Sequence, residues 1–150
     1  MAEFVMEDVT GPETLDEIQR TLDTAWQTIA VSAATKMYVE LAVSEIASNI
    51  IEHAGDGEPV HLRMAVVVEP DVVSVTFTDD GRPAPVELTT FDMPDAMAER
   101  GRGLSIAHRV LDELSYCRDQ NGNHWTLVRW LSEEPDRNSL HRARRAAGLE

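Results

Sequence analysis

Two runs rich in β-branched residues, "VHLRMAVVV" and "VVSVTFTDDG", are separated by no more than "EPD". Side chains branched at Cβ suit a pleated, half-buried surface, and Pro-Asp suits a tight reversal, so the pair predicts a β-hairpin. The rest of the chain must then supply strands beside that hairpin and helices over it. "FVMEDV", residues 4–9, reads as a first strand, and "LSYCRDQ" and "HWTLVRWL", joined at "NGN", read as two later ones.

Helical spacing fills the gaps between strands. "GPETLDEIQRTLDTAWQTIAV" repeats apolar residues at Leu15, Ile18, Leu22, Ala25, Trp26 and Ile29. A second pattern covers residues 34–54, with Val39, Val43, Ile46, Ile50 and Ala54 on one side, and "GDGEP" ends it. A third begins near "GRGLSIAHRVLDEL". Residues 82–100 hold three prolines and no period, so they predict a long connection of the kind that is usually functional or disordered. The order β, α, α, β, β, loop, α, β, β predicts an α+β, two-layer α/β sandwich with helices on one face of a mixed, mostly antiparallel sheet. The expected division is a folded domain over residues 1–132 and a polar tail of mixed charge over 133–150.

Composition narrows the partners. A chain of 150 residues with 27 acidic and 13 basic groups carries a formal charge of −14, which repels nucleic acid and anionic lipid and favours a basic or mixed protein surface. Neither direct nucleic-acid binding nor a membrane partner is expected. The lone Cys117 excludes an internal disulfide, no apolar run approaches membrane-spanning length, and the histidines lack metal-site spacing. A soluble, cytoplasmic protein is the expectation.

The chemistry-bearing residues fall in three places. Glu45, Asn49 and His53 recur every fourth residue in "VSEIASNIIEHAG", so on a helix they form one slanting row, roughly 40° apart around the axis. An amide oxygen such as that of Asn49 is a hard ligand suited to Mg²⁺, and a carboxylate one turn earlier can orient or deprotonate a hydroxyl. On that helix alone, the wet edge of an amphipathic face explains the row equally simply. In "TFTDDGRP", Asp79 ends a strand as a carboxylate acceptor suited to an exocyclic amine, with Gly81 close behind, although "DDG" is also an ordinary turn sequence. In "ERGRGLSIAHRVL", Gly101 and Gly103 stand at a helix start where backbone N–H groups can face a phosphate, with Arg100 or Arg102 beside them. A P-loop is excluded, since Lys36 is the only lysine and no G-x-x-x-x-G-K-[ST] occurs.

The order Glu45…Asn49, Asp79-x-Gly81, Gly101-x-Gly103-Leu104 resembles the N, G1 and G2 boxes of the GHKL (Bergerat-fold) ATPases. Within them "SEIASNIIEHA" and "GRGLSIAHRVLDELSY" look most like the anti-sigma factor serine/threonine-protein kinases, over residues 10–132. The resemblance implies ATP and Mg²⁺ as cofactors. It gives Glu45 the role of base, Asn49 that of metal ligand and His53 a place near the phosphates. Asp79 would meet the adenine amine with Gly81 supporting the base, Gly101 and Gly103 would lie near the phosphates, and residues 82–100 would form the lid. Arg100 and Arg102 are the two candidates to assist phosphoryl transfer. Two departures stand out. Pro83 replaces a second G1 glycine, and "GNHWT" puts Asn123 and His124 where small hydroxyl residues are expected, which leaves Thr126 as the available contact.

The implied function is phosphorylation of an anti-anti-sigma (STAS-type) protein and sequestration of a sigma factor, with a homodimer expected from the resemblance. The alternatives are a non-catalytic ATP-sensing module of the same fold and, last, a histidine kinase catalytic domain.

Overall fold

A computed structural model describes residues 1–85 and 102–131, with residues 102–105 as helix backbone. The elements are β1 (Ala2–Val9), α1 (Thr14–Trp26), α2 (Ala33–Asn49), a π turn (Ile50–Ala54), β2 (His61–Glu69), β3 (Val72–Asp79), α3 (Arg102–Val110), β4 (Glu113–Asp119) and β5 (Gly122–Trp130). The strands form one sheet in the order β1-β2-β3-β5-β4. All four pairings are antiparallel, so the expected mixed sheet is uniform among the described strands.

The hairpin lies near the middle of that sheet, as its composition demands. In β3, Val73, Val75, Phe77 and Asp79 point inward and are buried, while Ser74, Thr76 and Thr78 on the opposite face are half-buried. The same alternation buries Leu62, Met64, Val66 and Val68 of β2 and Trp125 and Leu127 of β5. All three helices cover this inner face. Ile18, Leu22, Ala25 and Trp26 of α1 and Val39, Val43 and Ile46 of α2 complete a single core with the strands. Leu15, placed on the buried stripe by its spacing, is 44% exposed because the helix turns it outward.

Local chemistry sets the helix limits. Ser32 caps α2 by accepting from the Thr35 N–H at 3.1 Å, and Asp16 and Glu17 occupy the positive first turn of α1. α1 ends at Trp26 rather than running on to residue 31, and the Trp26 indole N–H there donates to Glu40 of α2 at 3.0 Å. The second helix is not one continuous α-helix through residue 54. After Asn49 it widens into the π turn, a feature frequent at functional sites. α3 stops at Val110, so Leu111 belongs to the connection and Leu114 to β4.

Phe77 is fully buried at the centre of the sheet. Phe77→Ala is expected to cost about 3–5 kcal/mol through lost burial and the cavity left behind, read as a lower urea midpoint with an unchanged m-value.

Candidate functional site at the end of the central hairpin

The inward-facing row of β3 ends in a carboxylate where a hydrophobic residue would continue the pattern. Asp79 is 2% exposed. Its Oδ1 accepts from the Gly81 N–H and from Asn123 Nδ2, both at 2.9 Å. Its Oδ2 is buried and has no hydrogen-bond partner among the described residues. Burial raises the Asp79 pKa above its ordinary value; the bonds from Asn123 and Gly81 oppose the rise, neighbouring Asp80 adds to it, and Arg118 opposes it.

Two glycines make this arrangement physically accessible. A Cβ on Gly81 would lie 2.4 Å from the Ala54 carbonyl oxygen, so only glycine lets the strap of residues 81–85 press against the π turn. Gly122 has φ +120°, and a Cβ there would lie 2.0 Å from the Asp79 carbonyl oxygen. That glycine opens β5 one turn of chain earlier than "HWTLVRWL" suggested, and Asn123 becomes a strand residue opposite Asp79.

A narrow cleft opens beside Asp79. Asn49, Ile50, His53 and Ala54 form one wall, Asn123 and Trp125 another, and Arg82, Ala84 and Pro85 of the strap complete it. The strap is tied to the π turn, with Arg82 N–H donating to the Ala54 carbonyl at 2.7 Å and Arg82 Nη2 to the His53 carbonyl at 3.2 Å. The His53 side chain itself is 42% exposed and lies 3.8 Å from Glu52. Chemically, the cleft offers a buried negative acceptor at its inner end, an amide and an imidazole along one side, and apolar surface between them. Such a mixture suits a flat ligand that carries an amine donor.

The sequence-derived site residues separate into three groups. Asn49, His53 and Asp79 come together in the cleft wall, and Gly81 supports it from behind. Glu45 is half-buried one helical turn before Asn49 and does not line the cleft. Arg100, Gly101 and the 82–100 connection beyond Pro85 lie outside the described residues, as does the 133–150 tail. Arg102, Gly103 and Leu104 open α3, whose backbone alone is described there.

Thr126 does not line the cleft. It pairs with Thr76 on the opposite face of the sheet, because alternation turns it away when Trp125 and Leu127 point inward. Asn123, two residues before Trp125, is the β5 residue that stands in the site, and sequence reasoning passed over it as a mere departure from a hydroxyl pattern. Counting back in twos from the apolar Leu127 and Trp125 would have found it.

The raised pKa of Asp79 has a sign that stability measurements can read. A carboxyl whose folded pKa lies above the unfolded value favours the fold at low pH, and that contribution is lost as pH rises through the folded pKa. The charged form of this half-partnered group is therefore the one that burdens the fold. Asp79→Asn is expected to match or exceed the parent in urea midpoint at pH 7 without ligand, with the difference moving in the parent's favour as pH falls. A midpoint well below the parent at pH 7 would contradict this.

Comparison with known proteins agrees with the geometry. The family model for the histidine kinase-like ATPase domain matches residues 10–129. Among solved structures, the histidine kinase domain of the blue-light activated histidine kinase from Erythrobacter litoralis EL346 superposes with a TM-score of 0.52 at 20% identity. The match covers 85% of this chain and 64% of that one, so the chain spans less than two thirds of that domain, and at this identity the likeness is one of fold. Comparison with curated proteins finds no match. With the family model spanning most of its length over a two-layer sandwich of this topology, the chain belongs to the histidine kinase-like ATPase domain family.

Proposed function

We propose that the protein is an ATP-dependent serine kinase of the anti-sigma type, which phosphorylates an anti-anti-sigma (STAS-type) protein and in another state holds a sigma factor. The observation that carries the nucleotide half is the buried, unpartnered Oδ2 of Asp79 at the inner end of the cleft. An orphaned buried acceptor is costly, and the exocyclic amine of adenine is the donor that removes the cost. A purine bearing a carbonyl at that position would set oxygen against oxygen. Gly81 supports the base indirectly, by bringing the strap onto Ala54.

The phosphates would extend toward Asn49 and His53. Mg²⁺ takes few protein ligands and completes its shell with phosphate oxygens and water, and Asn49, an amide in the cleft wall, would be the one to join them. Bound there, the ion would neutralise phosphate charge. Gly101, Gly103 and Leu104 would present backbone N–H groups at the start of α3, and Arg100 or Arg102 would stabilise the transferring group. Glu45, outside the cleft wall, is reserved in this reading for the incoming serine hydroxyl. The excess of acidic groups suits docking on a basic partner surface.

The position of Glu45 also favours a second reading, an ATP-sensing module that binds protein without transferring phosphate. Incubation with ATP labelled at the γ-phosphate, Mg²⁺ and candidate STAS-type partners separates the two. The kinase reading expects label on a partner serine and a loss of about 100-fold or more in rate with Glu45→Ala. Nucleotide binding with no transfer to any such partner sinks it in favour of the module. For the metal, Asn49→Ala is expected to weaken Mg-ATP about tenfold while leaving metal-free ATP within about twofold in calorimetry. Equal losses in both conditions would remove Asn49 as a ligand.

A further inference from the structure

Asn123 commits every hydrogen-bonding group of its side chain to the protein. Nδ2 donates to Asp79 Oδ1 at 2.9 Å and to the Arg82 carbonyl at 2.7 Å. Oδ1 accepts from Arg118 Nη1 at 3.0 Å and from the Tyr116 hydroxyl. A guanidinium has no acceptor, and a carboxylate or carbonyl has no proton, so chemistry alone decides which end of the amide faces which partner. A flipped amide would fail against Arg118, Asp79 and Arg82 together. The same two β4 residues also grip the strap. Arg118 Nη1 donates to the Gly81 carbonyl at 2.8 Å, and the Tyr116 hydroxyl accepts from the Ala84 N–H at 3.0 Å.

We infer that Asn123 is a positioning residue for nucleotide binding: its amide, aimed by Tyr116 and Arg118, engages one oxygen of Asp79, leaves the other as the acceptor at the inner end of the cleft, and fixes the strap beside it. This rests on the adenine reading of Asp79. With both amide protons and its oxygen occupied, and 2% of its surface exposed, Asn123 has nothing left to offer the nucleotide directly. Its effect passes through Asp79 and the Arg82 carbonyl. Tyr116 and Arg118, on an edge strand that contributes no cleft-lining residue, act one step further out.

Asn123→Asp tests the inference because it keeps the shape and replaces the donor by a second carboxyl. Two carboxyls at hydrogen-bond distance share a proton rather than both ionise. While the proton is held, the introduced group donates to Asp79 as the amide did; once it is lost, the two charges repel. Asp80 and Arg118 also act electrostatically on Asp79, His53 and Arg82 line the cleft, and His124 lies on the opposite face bonded to Asp119; all are present in both proteins and cancel in their ratio.

Calorimetry with metal-free ADP is expected to find Asn123→Asp about tenfold or more weaker than the parent at pH 8, with part of that gap closing at pH 6, since the one shared proton restores the bond to Asp79 but not that to the Arg82 carbonyl. A parent-to-variant ratio that stays constant between the two pH values would overturn the positioning role, since general loosening carries no such pH signature. If circular dichroism shows that Asn123→Asp does not fold, Tyr116→Phe serves instead. It is expected to weaken ADP about threefold or more in the parent and clearly less in Asn123→Ala, where only its own bond from the Ala84 N–H is left to lose, whereas fully additive losses would overturn the inference. Asp79→Asn is the separating control. Unchanged ADP affinity there would overturn the adenine reading itself; a loss there beside a constant Asn123→Asp ratio would overturn the role of Asn123 alone.

Discussion

Burial of one carboxylate organises this molecule. Asp79 sits where an apolar residue would finish the inward row of β3, and burial opposes its charge. Among the described residues, two hydrogen bonds answer at Oδ1 and none at Oδ2. That asymmetry fixes much else. Gly122 must be glycine for β5 to pass the Asp79 carbonyl, Gly81 must be glycine for the strap to meet Ala54, and the π turn brings Ile50 and Ala54 against the same corner with Asn49 and His53 along the cleft. Local strain and an unsatisfied polar atom thus collect at one end of a sheet that is otherwise ordinary apolar packing, which is where stored cost is expected to serve function.

Much of this was legible in the sequence because it depends on periods. The β-branched runs around "EPD" place the hairpin, alternation within them fixes the core face, and a four-residue spacing picks out Asn49 and His53. Asp79 was legible for a different reason, as a carboxylate that ends a strand with Gly81 close behind. Features that depend on register or on backbone detail were not. The π turn interrupts the second helix without any proline or glycine to announce it at Asn49. Thr126 came from the resemblance alone, and alternation sets it on the face away from the cleft. The start of β5 was likewise not legible: Gly122, with its positive φ, already belongs to the strand.

The division between the sheet faces has a functional consequence. On the inner face, Asp79, Asn123 and Trp125 meet the cleft, while on the outer face Thr78 contacts His124, which bonds Asp119 at 2.9 Å. His124 and Asn123 are neighbours in sequence yet serve opposite surfaces. A motif comparison that treats "GNHWT" as one string therefore mixes two environments. The β4 strand contributes to the site only through Tyr116 and Arg118, whose bonds to Asn123 and the strap join the outermost strand to the buried carboxylate.

The central claim is that the free oxygen of Asp79 recognises an exocyclic amine. The most direct measurement compares the affinity of the parent protein for ADP and for inosine diphosphate, in which a carbonyl replaces the 6-amine and N1 gains a proton. The account predicts that ADP binds about tenfold to a hundredfold more tightly, as expected when a buried acceptor loses its donor. Equal affinity for the two nucleotides would contradict it.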